Sequence, residues 1–266
     1  MNATASLSFC CESLTVSVPG RTLVHELDLH LAAGDFLAIL GQNGAGKSLS
    51  LLTLAGLRAA DSGVTMINDR PITDFPRQRI AQNLALLPQY TEDIFPATVM
   101  ETVMIGRHPH IGRFQWESES DVEIARQCLH QMDLDSMADR DVATLSGGER
   151  RRLAIAQVLT QAPGIYLLDE PTNHLDPQHQ LDVLHVFKCC AANGSIVVAS
   201  LHDVNLAARF ADQCLLLFGD GRWELGETNS VLTESRLSEL YSTPMEAIPW
   251  RQHQLFVASR APTPSR

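Results

Sequence analysis

The chain has 266 residues, enough for one or two domains with a sizeable core, and its 45% hydrophobic and 19% charged residues are typical of a globular protein. The formal net charge of −11 argues against a broad nucleic-acid-binding surface, so we expect the basic cluster Arg150–Arg152 to be a solvated face or a local anion contact. Six cysteines without a CxxC pair indicate a reduced, cytosolic chain, and the N-terminus lacks signal-peptide features.

Short apolar runs alternate with amphipathic stretches along the chain, which predicts an α/β fold with buried parallel strands. The first segments, Leu7–Val18 and Thr22–Leu31, are predicted to be two edge strands around the turn Pro19-Gly20. A strand at Phe36–Leu40 then leads into a glycine-rich loop and a helix that extends through Leu57.

Three later apolar runs predict further buried strands, and one glycine turn predicts a hairpin. The strands are Ile165–Leu168, Ile196–Ala199 and Cys214–Phe218, and the turn is Asp220-Gly221. No apolar run approaches the ~20 residues that cross a bilayer.

The middle of the chain has helical spacing at Asp121–Met132 and Gly148–Thr160, without a strong strand pattern between Glu92 and Ala162. We therefore predict a single domain in which a helical insert interrupts one α/β core. Its parts are a core of residues 1–91 and 163–230, a helical subdomain of residues 92–162, and a C-terminal helix and tail of residues 231–266, with Ala261–Arg266 frayed.

The first glycine-rich loop, GQNGAGKS, has the P-loop pattern in the required context of strand, loop and helix. Backbone N–H groups of Gly44, Gly46, Lys47 and Ser48 would surround phosphates as an anion nest. Lys47 would reach the β- and γ-phosphates, and the Ser48 hydroxyl would bind Mg²⁺. The alternative is a glycine-rich turn with an exposed lysine.

The run IYLLDEP supplies the carboxylates that such a loop requires at the end of a neighbouring strand. Asp169 would hold Mg²⁺, and Glu170 would orient or deprotonate the attacking water, so we predict hydrolysis rather than binding alone. Adjacent acids after a strand are also compatible with a surface loop or a helix cap.

The loop LSGGE, Leu145–Glu149, resembles the signature loop of the ATP-binding subunits of ABC transporters, and the resemblance extends over nearly the whole chain. It implies the ABC-ATPase fold: a P-loop NTPase core of RecA-like type, an N-terminal antiparallel β subdomain and an inserted helical subdomain. It also implies a head-to-tail dimer of two copies, in which Ser146, Gly147 and Gly148 complete the partner's ATP site. The alternative is an ordinary capping loop before an amphipathic helix.

Other positions match the family one by one. Gln89 in LLPQY matches the Q-loop glutamine, Asp176 in NHLD matches the D-loop, and His202 in SLHD matches the switch histidine. The resemblance thus gives catalytic roles to Glu170, His202, Lys47 and Gln89, and metal contacts to Ser48, Gln89 and Asp169. The expected nucleotide contacts are Gly41, Gln42, Asn43, Gly44, Ala45, Gly46, Lys47, Ser48, Leu49, Val18, Ser146, Gly147, Gly148, Glu149 and Asp176.

Two stretches, VMIGRHPHIG at 103–112 and LHDVNLAARFAD at 201–212, resemble the ATPases of iron–siderophore, haem and cobalamin importers. The resemblance implies an integral-membrane permease, a periplasmic or lipid-anchored substrate-binding protein, and a peripheral position on the cytoplasmic side of the bacterial inner membrane. His108 and His110 flank a proline without nearby Cys or Asp, so we expect a structural or permease-facing role rather than metal ligation. Haem-type members often carry extra residues before the Asp–Glu pair, and their absence here favours a siderophore or cobalamin.

Two positions depart from the family pattern. Val18 stands where an aromatic residue usually stacks on adenine, and Leu49 stands where a threonine usually follows the P-loop serine. Neither departure affects the predicted metal or water contacts. An alternative function, a soluble ABC-type ATPase acting on nucleic acid or ribosomes, is disfavoured by the acidic charge and the single cassette, and a P-loop kinase is disfavoured by the LSGGE loop.

Overall fold

The computed structural model describes residues 7–89, 96–112, 115–250 and 253–259. The start of the chain and the predicted frayed segment Ala261–Arg266 lie outside the described residues. In chain order the elements are β1 (Ser8–Val18), β2 (Arg21–Ala32), β3 (Phe36–Leu40), α1 (Lys47–Leu54), β4 (Ser62–Ile67), β5 (Arg70–Pro71), α2 (Arg77–Asn83), β6 (Leu84–Leu87), α3 (Val99–Met104), α4 (Glu119–Gln131), α5 (Gly147–Thr160), β7 (Ile165–Asp169), α6 (Pro177–Ala192), β8 (Ile196–Ser200), α7 (Val204–Phe210), β9 (Gln213–Leu217), β10 (Trp223–Glu227), α8 (Thr228–Val231), α9 (Glu234–Tyr241), β11 (Met245–Trp250) and β12 (His253–Ala258).

The first sheet is antiparallel and has the order β2-β1-β4-β5. The prediction of two edge strands was half wrong, because β1 lies inside this sheet, with β2 on one side and β4 on the other. A weak pattern hid β4: it begins with the exposed pair Ser62-Gly63 and buries only alternate side chains thereafter.

The second sheet has the order β10-β9-β3-β8-β7-β6 and forms the α/β core. Its strands are parallel apart from β10, which returns antiparallel to β9 through the predicted turn at Asp220-Gly221. All residues of β3, β7 and β8 are buried, as expected for parallel strands covered on both faces. The carboxyl ends of these three strands therefore meet at one edge of the sheet, where open α/β sheets bind ligands.

The region between β6 and β7 contains α3, α4 and α5 and no strand within residues 96–112 and 115–162, which confirms the predicted helical insert. The GRHPH segment forms a short 3₁₀ helix against α5. A side chain at Gly106 would place its Cβ 2.4 Å from the carbonyl oxygen of Gln157, so only glycine permits this approach.

Two predicted element ends were wrong. Helix α1 ends at Leu54 rather than Leu57, since Gly56 takes a left-handed conformation with φ of 66° and stops the helix. The C-terminal region contains α9, as predicted, but continues into the hairpin of β11 and β12 rather than a plain tail.

No helix in the described part of the chain is both long and apolar enough to cross a membrane. All six cysteines are free thiols.

Candidate active site

The glycine-rich loop after β3 is shaped for close approach of a ligand to its backbone. Gly44 and Gly46 have φ values of 78° and 107°, which are left-handed conformations that glycine adopts without strain. A Cβ at Gly44 would meet no atom within 4 Å, whereas one at Gly41 would lie 2.6 Å from the carbonyl oxygen of Leu217. The loop is therefore packed against β9 at its start and open at Gly44, one residue of the predicted phosphate nest.

Lys47 is buried at the first position of α1, and its Nζ donates to the carbonyl oxygen of Gly41 at 2.8 Å. Burial lowers the pKa of this ammonium, while the nearby carboxylates of Glu170 and Asp169 act in the opposite direction. The lysine is thus held on the loop, facing two acidic side chains.

A cavity of about 410 Å³ lies over this loop. Its walls bring together residues from four separate parts of the sequence. They are Val18, Arg21, Leu23, Asn43, Gly44, Gly46, Lys47, Ser48, Leu49, Gln89 and Glu170. Val18, which the sequence analysis predicts to contact the nucleotide, lies on the cavity wall, and Arg21 beside it donates to the carbonyl oxygens of Gly219 and Gly44.

The end of β7 carries the two predicted carboxylates, and the end of β8 fixes them. Ser200 Oγ donates to Asp169 Oδ1 at 2.6 Å and accepts the backbone N–H of Glu170 at 2.9 Å. Asp169, Glu170 and Ser200 are all buried. Sequence reasoning did not single out Ser200, although it is the polar last residue of an otherwise apolar strand.

The carboxylate of Glu170 accepts hydrogen bonds from three side chains. His202 Nε2 lies 2.5 Å from Oε1, Gln89 Nε2 donates to Oε2 at 2.7 Å, and Asn173 also donates to Oε2. Three predicted residues, Gln89, Glu170 and His202, are therefore in direct contact although they are far apart in sequence. Asn173 was quoted only as part of the D-loop motif and was not given a role.

The basic cluster at 150–152 is not a uniformly solvated face, because Arg151 is buried. Arg151 is 5% exposed, and its guanidinium donates to the carbonyl oxygens of Pro88, Gln89, Asp169 and Glu170. Arg150 donates to the carbonyl of Ala143, and Arg152 to those of Met132 and Asp133. For Arg151 the prediction was wrong, because charge alone does not tell whether a cation bonds to solvent, to a ligand or to backbone carbonyls.

The LSGGE loop forms the N-terminus of α5 through a capping box. Ser146 Oγ accepts the N–H of Glu149, and Glu149 Oε2 accepts the N–H of Ser146 at 2.7 Å. Hydrogen bonds from the backbone and the side chain of Ser146 lower the pKa of the Glu149 carboxyl. Ser146 and Gly147 are exposed, and a Cβ at Gly148 would lie 3.3 Å from the carbonyl of His174. The loop does not line the cavity of its own chain.

Gln42 and Asp176 are among the predicted contacts that lie outside the cavity wall. Asp176 caps α6, where its Oδ1 accepts the N–H of His179, and its carboxylate is mainly exposed. Gln42 reaches across to the C-terminal region, where Nε2 donates to the carbonyl of Leu240 and to Ser242 Oγ. Asn43 and Ala45 belong to the same glycine-rich loop as Gln42. Asn43 lies on the cavity wall, and Ala45 is buried.

The two histidines of GRHPH belong to the short 3₁₀ helix beside α5. His110 Nε2 lies 2.8 Å from the carbonyl of Gln161, and His108 is exposed. Within the described part of the chain no group of three or more His, Cys, Asp and Glu side chains is arranged to hold a metal ion.

The chain is similar to known proteins in both sequence and structure. The profile of the ABC transporter family matches residues 24–173. The hemin import ATP-binding protein HmuV of Pseudomonas aeruginosa is 39% identical over 255 residues, which cover 93% of this chain and 98% of that protein. The protein of the same name from Deinococcus radiodurans is 41% identical over 218 residues, covering 80% of this chain and 82% of that protein.

Among solved structures, an inward-facing conformation of a metal-chelate type ABC transporter matches 95% of this chain and 97% of that chain. The TM-score is 0.81 and the sequence identity is 29%.

Proposed function

The chain belongs to the ABC transporter family, and from that premise we propose that it is the energy-coupling ATPase of an importer of metal chelates, with hemin as its cargo. The reaction is hydrolysis of ATP to ADP and phosphate, coupled to import. The proposal rests on one observation: residues of the P-loop line the same cavity as Gln89 and Glu170.

The choice of hemin comes from relatives, since curated relatives from several genera are named hemin import proteins. The sequence alone favoured a siderophore or cobalamin because no residues are inserted before β7, and that prediction stays untested. A metal-chelate importer is common to all three cargoes. An ATPase acting on nucleic acid or ribosomes is not favoured by these relatives or by the net charge of −11.

In the proposed mechanism the open P-loop backbone and Lys47 bind the phosphates of ATP. Glu170 orients the attacking water and accepts its proton, and His202 donates a hydrogen bond toward the charge that develops on the γ-phosphoryl group. The contact between His202 and Glu170 supports this, because both side chains then reach the same small volume.

Mg²⁺ fits the donors at this site. Ser48 and Gln89 line the cavity and Asp169 directly precedes Glu170, so the available ligands are hydroxyl, amide and carboxylate oxygens, which Mg²⁺ prefers. When bound, the ion would neutralise charge on the β- and γ-phosphates. Ser200 would orient the Asp169 carboxylate by the hydrogen bond that it donates to Oδ1.

We further propose that two copies associate head to tail. The exposed N-terminus of α5 carries Ser146, Gly147 and Gly148 and takes no part in the cavity of its own chain, so its unpaired N–H groups are available to a γ-phosphate bound by a partner. Asp176, exposed at the start of α6, would lie near the dimer seam. The helical insert would contact the permease at the cytoplasmic face of the inner membrane, and a substrate-binding protein would deliver the cargo.

The test is reconstitution of the chain with its permease and binding protein in proteoliposomes. ATP hydrolysis should rise when the binding protein carries hemin and should not rise with an iron–siderophore or cobalamin. Stimulation by one of those two instead would overturn the choice of cargo but keep the importer. Hydrolysis indifferent to the permease, together with co-purification with ribosomes, would overturn the importer itself.

A further inference from the structure

We propose that Arg151 is a positioning residue for hydrolysis, which fixes the backbones of Gln89 and Glu170 to the helix that begins at the LSGGE loop. The proposal rests on the proposed function for the role of Glu170. Its structural part, a single guanidinium joining three elements, does not depend on that function.

The two terminal nitrogens of the Arg151 guanidinium contact two different loops. Nη1 lies 2.8 Å from the carbonyl oxygen of Pro88 and 3.3 Å from that of Gln89, just after β6. Nη2 lies 2.5 Å from the carbonyl oxygen of Asp169 and 2.7 Å from that of Glu170, at the end of β7. One side chain of α5 therefore ties both loops together in the buried interior.

Only arginine has the shape for this contact. Its planar fork presents separate N–H groups to acceptors that lie side by side, whereas the ammonium of lysine is a single point that cannot face both loops at once. Burial lowers the pKa of Arg151 to about 10, and the carboxylates of Asp169 and Glu170 limit the shift. The guanidinium therefore stays charged at neutral pH.

The backbone of Glu170 needs such support. Its φ of 50° is in the left-handed region, which residues with a side chain rarely adopt. Ser200 accepts the N–H of this residue, and Arg151 binds its carbonyl oxygen, so both sides of the left-handed residue are fixed. Because the Glu170 side chain leaves from this backbone, losing one support moves the carboxylate away from its three partners.

The position of Arg151 on α5 gives the contact a mechanical consequence. The same helix begins at Ser146, in the loop proposed to close the ATP site of a partner. In a dimer the LSGGE loop of one copy would close the ATP site of its partner, whereas Gln89 and Glu170 serve the copy's own site. Because Arg151 links the helix rigidly to both residues, a displacement of the loop at one site displaces the water-orienting Glu170 at the other.

The test compares Arg151→Lys with Arg152→Lys, a matched control. Arg152 is the next residue on α5 and also donates to backbone carbonyls, but to those of Met132 and Asp133. Arg151→Lys should lower kcat about tenfold or more and change KM for ATP by less than about threefold, as expected when a catalytic group is misplaced but ATP binding is kept. Arg152→Lys should leave both constants nearly unchanged.

Hydrogen exchange of the nucleotide-free chain provides a readout independent of catalysis. In Arg151→Lys the amides of residues 84–89 and 165–173 should exchange faster than in the wild type, whereas in Arg152→Lys the increase should lie near residues 129–134. If the wild type lacks ATPase activity the proposed function fails, and the exchange result still decides whether Arg151 holds the two loops.

In Arg151→Lys the effect could come from burying a lysine ammonium without partners rather than from losing the guanidinium. The neutral variant Arg151→Gln separates these two causes. It also lacks the guanidinium, so the same loss of kcat and the same faster exchange are expected for it. Unchanged exchange in both loops, a normal kcat, or a rise in KM alone would overturn the proposal. Global unfolding of both variants would also overturn it, since Arg151 would then be required for the fold rather than for placing Glu170.

Discussion

Replacing Glu170 by glutamine tests the central chemical assignment, because it removes the proposed base while keeping most of its contacts. The glutamine oxygen can take the place of Oε2 and accept from Gln89 and Asn173, and its amide can face His202 if that ring nitrogen accepts. Hydrogen bonds to a charged group are worth about 1.5–3 kcal/mol and neutral ones about 0.5–1.5 kcal/mol, so we expect a loss of stability of about 1–3 kcal/mol.

The rate of ATP hydrolysis by Glu170→Gln should fall strongly. Loss of a general base reduces the rate by about 10²–10⁴-fold, whereas ATP binding through Lys47 and the P-loop should be kept. Phosphate release measures the first effect, and gel filtration with and without ATP and Mg²⁺ measures association of two copies. The expected result is an ATP-dependent dimer that hydrolyses almost no ATP.

The control is Glu246→Gln, which removes an exposed carboxylate from β11, remote in sequence from the site, and should change neither quantity. Hydrolysis by Glu170→Gln within about tenfold of the wild type would refute the role of Glu170 as base. ATP-independent dimerisation of the variant would refute the idea that the γ-phosphate holds the two copies together.

Other predictions concern the cavity, the helix caps and pH. Val18→Tyr places an aromatic ring on the cavity wall and should strengthen ATP binding by about 1–3 kcal/mol in calorimetry; unchanged affinity would show that adenine does not lie there. Ser146→Ala removes the cap of α5 and should lower the free energy of unfolding by about 1 kcal/mol in urea and weaken ATP-dependent dimerisation, and a normal dimer would contradict the composite site. Hydrogen bonds from Ser118, with help from the Arg107 guanidinium, lower the pKa of the buried Asp121 from 3.8 to about 2. Its ionised form therefore adds stability that is complete above pH 3.8 and is lost as the pH falls through about 2. Asp121→Asn should be less stable at pH 7 by about 2 kcal/mol, with the difference shrinking on acidification; a difference independent of pH would contradict the argument.

Local patterns were sufficient for the parts of the site that are continuous in sequence. The P-loop and the Asp–Glu pair at the end of β7 each follow a buried apolar run, and such runs are readable because the residues that form them are adjacent. The role of His202, by contrast, came only from the resemblance to the family. In a parallel sheet the carboxyl ends of the strands lie at one edge, so the P-loop and the Asp–Glu pair meet there.

The short strands were not readable in the same way. β6 has only four residues and directly follows α2, so its apolar run could equally have continued a helix. β1 was placed at an edge because nothing in its own sequence reveals the pairing with β4, which lies about fifty residues further along the chain. The end of α1 was misplaced because the apolar pattern continues past Gly56, whose left-handed conformation stops the helix.

The sequence by itself determined what chemistry this chain carries: a phosphate-binding loop, paired carboxylates and a second glycine-rich loop. Only the tertiary structure decided how that chemistry is held. Ser200 orients Asp169 from 31 residues away, and Arg151 reaches Pro88 across 63 residues. Where a hydroxyl or a guanidinium points depends on which strands and helices pack around it, and no local pattern encodes that packing.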